Sequence, residues 1–390
     1  MLNVVRTVPQ TPIAFTRQFA LFNVAMYDAV TTIMAVRGEV AYEPYRLPAE
    51  APAGDLSCPA AVGGAAHEVL THLHPEFTTL FDTRLADTLD IARSLEGDVS
   101  GGEEWGRRVA SGLIDERLDD GHLAYDGGSY QACDRPSMTP GCYRGGQGGP
   151  WLDAHFAFVD TWAITNPMPF GRPPWLTDDA YAEAWHEVYH LGDNRRDRPQ
   201  EEIDIATFWR GGGGTSRPPG RWMGITSIAA TEFHLSLLET ARLFGLVSLA
   251  IADAGISSWL SKYKHGFWRP LPAIRFGDTD DNPETFADPG WQPIAIGGSP
   301  EYPSTLSCYG ATAKTILIDY LETDSFTFEF TSSGPPEQTR TFNSFSGAFE
   351  ESWHSRLYVG NHFRFSLVDS IPVGEAIAQT VLDDQLQPIE

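Results

Sequence analysis

The chain has 390 residues, 42% of them hydrophobic and 12% aromatic, enough to bury a substantial core in one large domain or two ordinary ones. Its 52 acidic residues outnumber 27 basic ones for a formal charge of -25, and a surface of that sign repels nucleic acid and anionic membranes. No run of about 18 uncharged apolar residues is present, and Met1–Gln10 lacks the basic-then-apolar order of a signal peptide, so the expectation is a soluble protein without a membrane span, cytoplasmic or secreted.

Apolar side chains recur at helical spacing from about Phe15 to Val36, Ala60 to Leu73, Phe77 to Leu95 and Glu103 to Leu118, which predicts four N-terminal helices. His67, His72 and His74 fall on these helices without a completed ligand set, so they read as surface or hydrogen-bonded histidines. Residues 121–176 are rich in Gly, Pro and aromatics and predict an ordered loop, because proline removes amide donors and glycine weakens helical preference. Cys133 and Cys142 flank part of this loop and could pair in an oxidising compartment, whereas Cys58 and Cys308 read as buried thiols. Helices resume at about Asp178–His190 and Gln200–Trp209. Gly211–Gly214 is expected to be a turn, since no Gly-Lys-Ser/Thr ending or preceding strand makes it a phosphate loop.

The stretch from about Thr231 to Trp259 is apolar on nearly every face and predicts one long helix at the centre of the protein. Phe326–Thr331 and Gln338–Phe342 alternate like a small hairpin around Gly334-Pro335-Pro336. The fold class read from this pattern is mostly α, a helical bundle with a minor β-hairpin. A single domain over 1–390 is expected, with helices over 1–120, the loop region over 121–176 and a C-terminal bundle over 177–390.

Chemistry concentrates in three segments. The first, Lys262-Tyr-Lys-His-Gly-Phe-Trp-Arg269-Pro270, holds two of the three lysines in the chain at the end of the apolar helix. The second is Tyr302-Pro-Ser304-Thr305-Leu306, where Ser304 precedes an apolar-periodic stretch and is placed to cap a helix whose free first-turn amides would face an anion. The third is Ser355-Arg356-Leu-Tyr-Val-Gly-Asn-His362-Phe. Arginine offers a planar donor fork to tetrahedral oxyanions and lysine a compact point charge. Taken singly each residue has a plain alternative, Arg269 and Arg356 as salt-bridge formers and His362 as a core histidine, but together they describe an oxyanion site.

These segments resemble those of the vanadium-dependent haloperoxidases, which share a helical-bundle fold with the type-2 phosphatidic acid phosphatases and bacterial acid phosphatases. The resemblance extends to Leu21–Ala29, Phe208-Trp209, Pro218-Pro-Gly220, Leu249–Ala254, Phe267–Pro270, Ala273-Ile-Arg275 and Phe345 through Phe365, roughly residue 15 to the end. It implies vanadate as cofactor, with phosphate as a surrogate. Lys262, Arg269 and Arg356 would contact the equatorial oxygens, Ser304 and the Thr305 amide would add hydrogen bonds, and His362 would be the axial ligand. It also implies hydrogen peroxide, a halide and a small organic substrate as reaction partners, with Lys262 and His362 in catalytic roles. Homo-oligomerisation is left open.

Three positions depart from the family pattern. Thr305 stands where the family usually has glycine, Leu306 where it has the histidine that handles protons, and Ser366 where it often has an acid that orients the axial histidine. His265, three residues after Lys262, and His354, two before Arg356, are the candidates to replace the missing base. Cys308, four residues beyond Ser304, would be prone to oxidation beside a source of hypohalite. The expected function is vanadate-dependent halide oxidation. Two alternatives remain on the same fold: a non-redox enzyme such as an acid phosphatase or an acid/base catalyst on a small molecule, and a non-catalytic oxyanion-binding protein.

Overall fold

The computed structural model describes residues 1–39, 42–48, 52–95, 97–124, 139–144, 152–334 and 336–389. In chain order the helices are α1 Leu2–Thr7, α2 Pro12–Arg37, α3 Cys58–Leu73, α4 Thr78–Ala92, α5 Val99–Glu116, α6 Asp179–Leu191, α7 Gln200–Phe208, α8 Arg217–Glu232, α9 Leu237–His265, α10 Pro270–Arg275 and α11 Thr305–Leu321. An antiparallel hairpin of β1 Ser325–Thr331 and β2 Thr339–Ser344 follows, then α12 Phe345–Val359, α13 Arg364–Val368 and α14 Ser370–Asp384.

Helix α9 is the central element. From Leu243 to Trp259 nearly every residue is buried, and α2, α8, α11 and α14 pack around it. Helices α2 and α9 are each long and apolar enough to cross a membrane, yet their apolar windows are 72% and 89% buried, as core helices are. The single helix expected over 231–259 is in fact two elements. Helix α8 ends at Glu232, His234 adopts a positive φ of 53°, and α9 starts at a capping box in which Ser236 and Glu239 satisfy each other's backbone amides. The sequence pattern assigns no element between Gly214 and Thr231, where α8 forms; its prolines lie in the first turn, where no amide is needed.

Described parts of the expected loop region lie against α9. Asp253 accepts hydrogen bonds from the amides of Trp162, Ala163 and Ile164 at 2.7, 2.7 and 2.9 Å, and Ser257 accepts from Met168. Cys142 is disulfide-bonded, and Cys133 lies outside the described residues. At the N-terminal end α3 and α5 cross with almost no space between backbones: a Cβ on Gly106 would lie 1.9 Å from the Ala61 carbonyl oxygen. His67 bridges Asp82 and Arg107, and His74 meets Gln18, so both are hydrogen-bonded helical histidines.

Candidate functional site

Three helix ends converge on one buried region. Helix α9 runs out at Gly266 in the left-handed conformation (φ 55°), with Lys262 in its last turn. The chain then turns so that Arg269 stands immediately before α10. Helix α11 begins at Ser304, whose side chain accepts from the Ser307 amide at 3.4 Å, and whose own amide donates to the Ser366 carbonyl and Ser370 hydroxyl. Helix α12 carries Arg356 in its last turn and stops at Gly360 (φ 78°), which packs on Gly192; His362 follows two residues later.

Lys262, Arg269 and Arg356 are only 2%, 5% and 4% exposed. The ammonium of Lys262 donates to the carbonyls of Pro300, Glu301 and Pro303 at 2.7, 3.0 and 2.5 Å, fastening the segment before α11. Arg269 donates through Nε to Ser299 O, through Nη1 to Asn361 O and to His362 Nε2 at 2.9 Å, and through Nη2 to Ser299 Oγ and Pro300 O. Arg356 donates to Ser355 Oγ and to the carbonyls of Trp209 and Arg210.

Two residues that the sequence reading did not assign complete the arrangement. Glu301 is fully buried, and its Oε1 accepts from His362 Nδ1 at 2.8 Å, from the Ser366 hydroxyl and from the Phe363 amide, while Oε2 has no partner. The acid missing at position 366 is therefore supplied at the same Nδ1 by a different segment of the chain, with the Ser366 hydroxyl donating to Glu301 Oε1 and lying 3.2 Å from Nδ1. Arg221 is the second: it shares the Trp209 carbonyl with Arg356 and adds a fourth buried cation. The chain offered a signal for Glu301, an acid three residues before a helix cap, but its partners lie more than 60 residues away.

These contacts fix the His362 tautomer. An arginine N–H donates to Nε2, so Nε2 carries the lone pair, and Nδ1 carries the proton given to Glu301. Burial, reinforced by Arg269, Lys262 and Arg356, holds the imidazole well below its ordinary pKa, so the ring is neutral. Burial also lowers Lys262, with Arg269 acting in the same direction and Glu301 against it. Burial pushes Arg356 down to about 9, as it does Arg221, which leaves both charged at neutral pH. Glu301 is pushed up to about 7 by burial, resisted first by Arg269. Four basic side chains are thus buried here with one acid, Glu301, on which Arg269 and Lys262 act, an excess of positive charge that an oxyanion would offset. The amides of Thr305 and Leu306 meet no acceptor among the described residues, so the start of α11 remains an open anion-binding end.

Leu306 is buried beside this end and brings no proton-transfer group. Neither alternative histidine joins the cradle. The His265 ring packs edge-on against Tyr302 with its Nε2 buried and unpartnered, and His354 stacks on Trp353 and bonds the Glu350 carbonyl. The Cys308 thiol is fully buried and pushed up to about 12, so it is shielded from oxidants. No group of three or more His, Cys, Asp or Glu side chains suited to holding a metal ion occurs among the described residues.

The helical framework thus brings buried basic side chains and a neutral histidine to one wall, an arrangement whose charge suits an oxyanion. Residues 242–390 match the VCPO second helical-bundle domain family. Over 174 residues the chain is 27% identical to the vanadium chloroperoxidase of Curvularia inaequalis, a match covering 33% of this chain and 28% of that protein. Its structure superposes on a bacterial vanadium-dependent iodoperoxidase with a TM-score of 0.80 and 23% identity, over 100% of this chain and 95% of the other. A holo-type bacterial vanadium-dependent chloroperoxidase gives 0.69 and 16% identity over 95% and 91%, and its apo-type structure gives 0.70 and 17% over 98% and 96%. The C-terminal part of the chain, residues 242–390, thus matches that family's domain, and the mostly helical fold of the whole chain is that of the vanadium-dependent haloperoxidase structures.

Proposed function

We propose that the cradle binds orthovanadate, with phosphate as a surrogate, and that the protein is a vanadate-dependent haloperoxidase-like enzyme acting with hydrogen peroxide, a halide and a small organic acceptor. The observation that carries this reading is His362: a neutral ring whose Nε2 lone pair faces Arg269 and whose Nδ1 proton is held by Glu301. That tautomer is the one that would let Nε2 serve as a nitrogen ligand. Lys262, Arg269 and Arg356 would hold the vanadate oxygens, and Ser304 Oγ and the Thr305 amide would donate from the start of α11. The charge balance fits; Lys262 and Arg269 also bond nearby carbonyls and would share their N–H groups with the anion, and Arg269 Nη1 would turn from His362 Nε2 to the anion to free that lone pair.

Bound vanadate would supply the Lewis-acid centre at which peroxide becomes reactive toward halide. The chain's own contribution is positioning and charge. Three fixed cations neutralise the oxyanion, Glu301 locks the imidazole, and burial excludes bulk water, which strengthens each of these interactions. Leu306 cannot exchange a proton, so turnover is expected to be slow. Leu306→His should raise halide-dependent oxidation of a phenolic dye by roughly a hundredfold to ten-thousandfold, the usual worth of a placed acid/base. Steady-state assays of both proteins with vanadate, peroxide and bromide or iodide test this. Absence of halogenation in both, with vanadate bound, would refute the peroxidase reading. Hydrolysis of an aryl phosphate that vanadate inhibits and His362→Ala abolishes would replace it with the phosphatase one.

A further inference from the structure

Beside the cradle lies a cavity of about 490 Å³, a volume suited to a small organic molecule and much larger than an inorganic oxyanion needs. Arg269 belongs to both, lining the cavity while its Nη1 touches His362, so whatever fills the cavity sits one guanidinium away from the His362 ring. Gly297 makes this possible, since a Cβ there would lie 2.5 Å from the Arg269 Cζ.

Two further arginines line the same space. Arg144 lies over the Phe276 ring at 4.5 Å, and Arg275 is held through Nε by the Trp291 carbonyl at 3.0 Å. No carboxylate lines the cavity among the described residues, in a chain with a formal charge of -25. A concave surface of one sign concentrates ligands of the other, and guanidinium forks pair with carboxylate or phosphate oxygens. Apart from Tyr143 and Gln292, the rest of the wall is apolar, with Leu271, Pro293 and Ile296.

We propose that this cavity is the acceptor subsite and that it takes a small organic anion, an aromatic or aliphatic body seated on Pro293 and Ile296 with its carboxylate or phosphate held by Arg275 and Arg144. Its assignment as the acceptor subsite rests on the oxidative reading of the cradle, whereas binding of the anion does not.

The test measures binding, without peroxide or halide, of 4-hydroxybenzoate and of its uncharged methyl ester by calorimetry. Titrations with and without orthovanadate separate failure of the cradle to bind vanadate from failure of the cavity to bind the acid. The acid should bind at least about tenfold more tightly than the ester, as expected for a charge-assisted bidentate contact. Arg275→Gln should remove most of that difference and leave the ester unaffected. Gln292→Glu, at an exposed wall position, gives a second reading if the arginine variant does not fold, and should weaken only the acid. Equal affinity for acid and ester, or equal weakening of both by either substitution, would overturn the proposal.

Discussion

Glu301 decides how the His362 ring behaves. Its Oε1 collects the Nδ1 proton of His362, the Ser366 hydroxyl and the Phe363 amide, so the ring is fixed from behind while Nε2 faces the arginines. Outer partners of a ligating histidine commonly contribute about 10–100-fold in affinity. Glu301→Gln is accordingly expected to weaken orthovanadate binding by about that factor, and Glu301→Asp to do so less; unchanged affinity in the glutamine variant would remove Glu301 from the account. The histidine makes its own prediction. Its folded pKa lies well below the ordinary value of about 6.5, so the unfolded chain gains a proton below that pH while the native one does not. The contribution of His362 to stability is therefore retained above about pH 6.5 and falls as the pH drops through and below it. Side-chain nitrogen NMR should show a neutral, Nδ1-protonated ring from pH 5 to 8, and titration near 6.5 would contradict the assigned environment. Arg269, Arg356, Ser304 and His362 were legible because cation spacing and a helix cap are local signals. Glu301 was not, because only tertiary packing brings it to a ring 61 residues away.

At the scale of elements the strongest sequence signals were α2, α9 and the hairpin, whose periodicity agrees with their burial. The break between α8 and α9 was missed because apolar residues continue across it. Its local marker was the Ser236–Glu239 capping box, a pairing that hydrophobic spacing does not detect. Small residues also set helix contacts that hydropathy does not report. Gly64 and Gly106 let α3 and α5 touch backbone to backbone, since a Cβ on Gly64 would lie 2.3 Å from Glu103 O. Gly106→Ala must push the helices apart and is expected to cost ~1–3 kcal/mol, the range for overpacking, in urea unfolding. A change below ~0.5 kcal/mol would mean that the crossing relaxes easily. Gly38, by contrast, has no atom near its missing Cβ, and its φ of 67° alone accounts for glycine there.

Across the whole molecule, a single buried helix organises both stability and the site. Helix α9 is covered by α2, α11 and α14, anchors the Trp162–Ile164 amides through Asp253, and delivers Lys262 at its end. Composition indicated a large core and an acidic surface, but not that four cations would be gathered inside it, because a sequence count does not separate surface charge from buried charge. That interior excess of positive charge makes oxyanion binding the central expectation, independent of whether Leu306 permits turnover. Calorimetric titration of the protein with orthovanadate, alongside His362→Ala, tests it most directly. The account predicts one site per chain in the unmodified protein, competed by phosphate and weakened by at least about tenfold when the imidazole ligand is removed. Absence of vanadate binding, or binding that His362→Ala leaves unchanged, would contradict it.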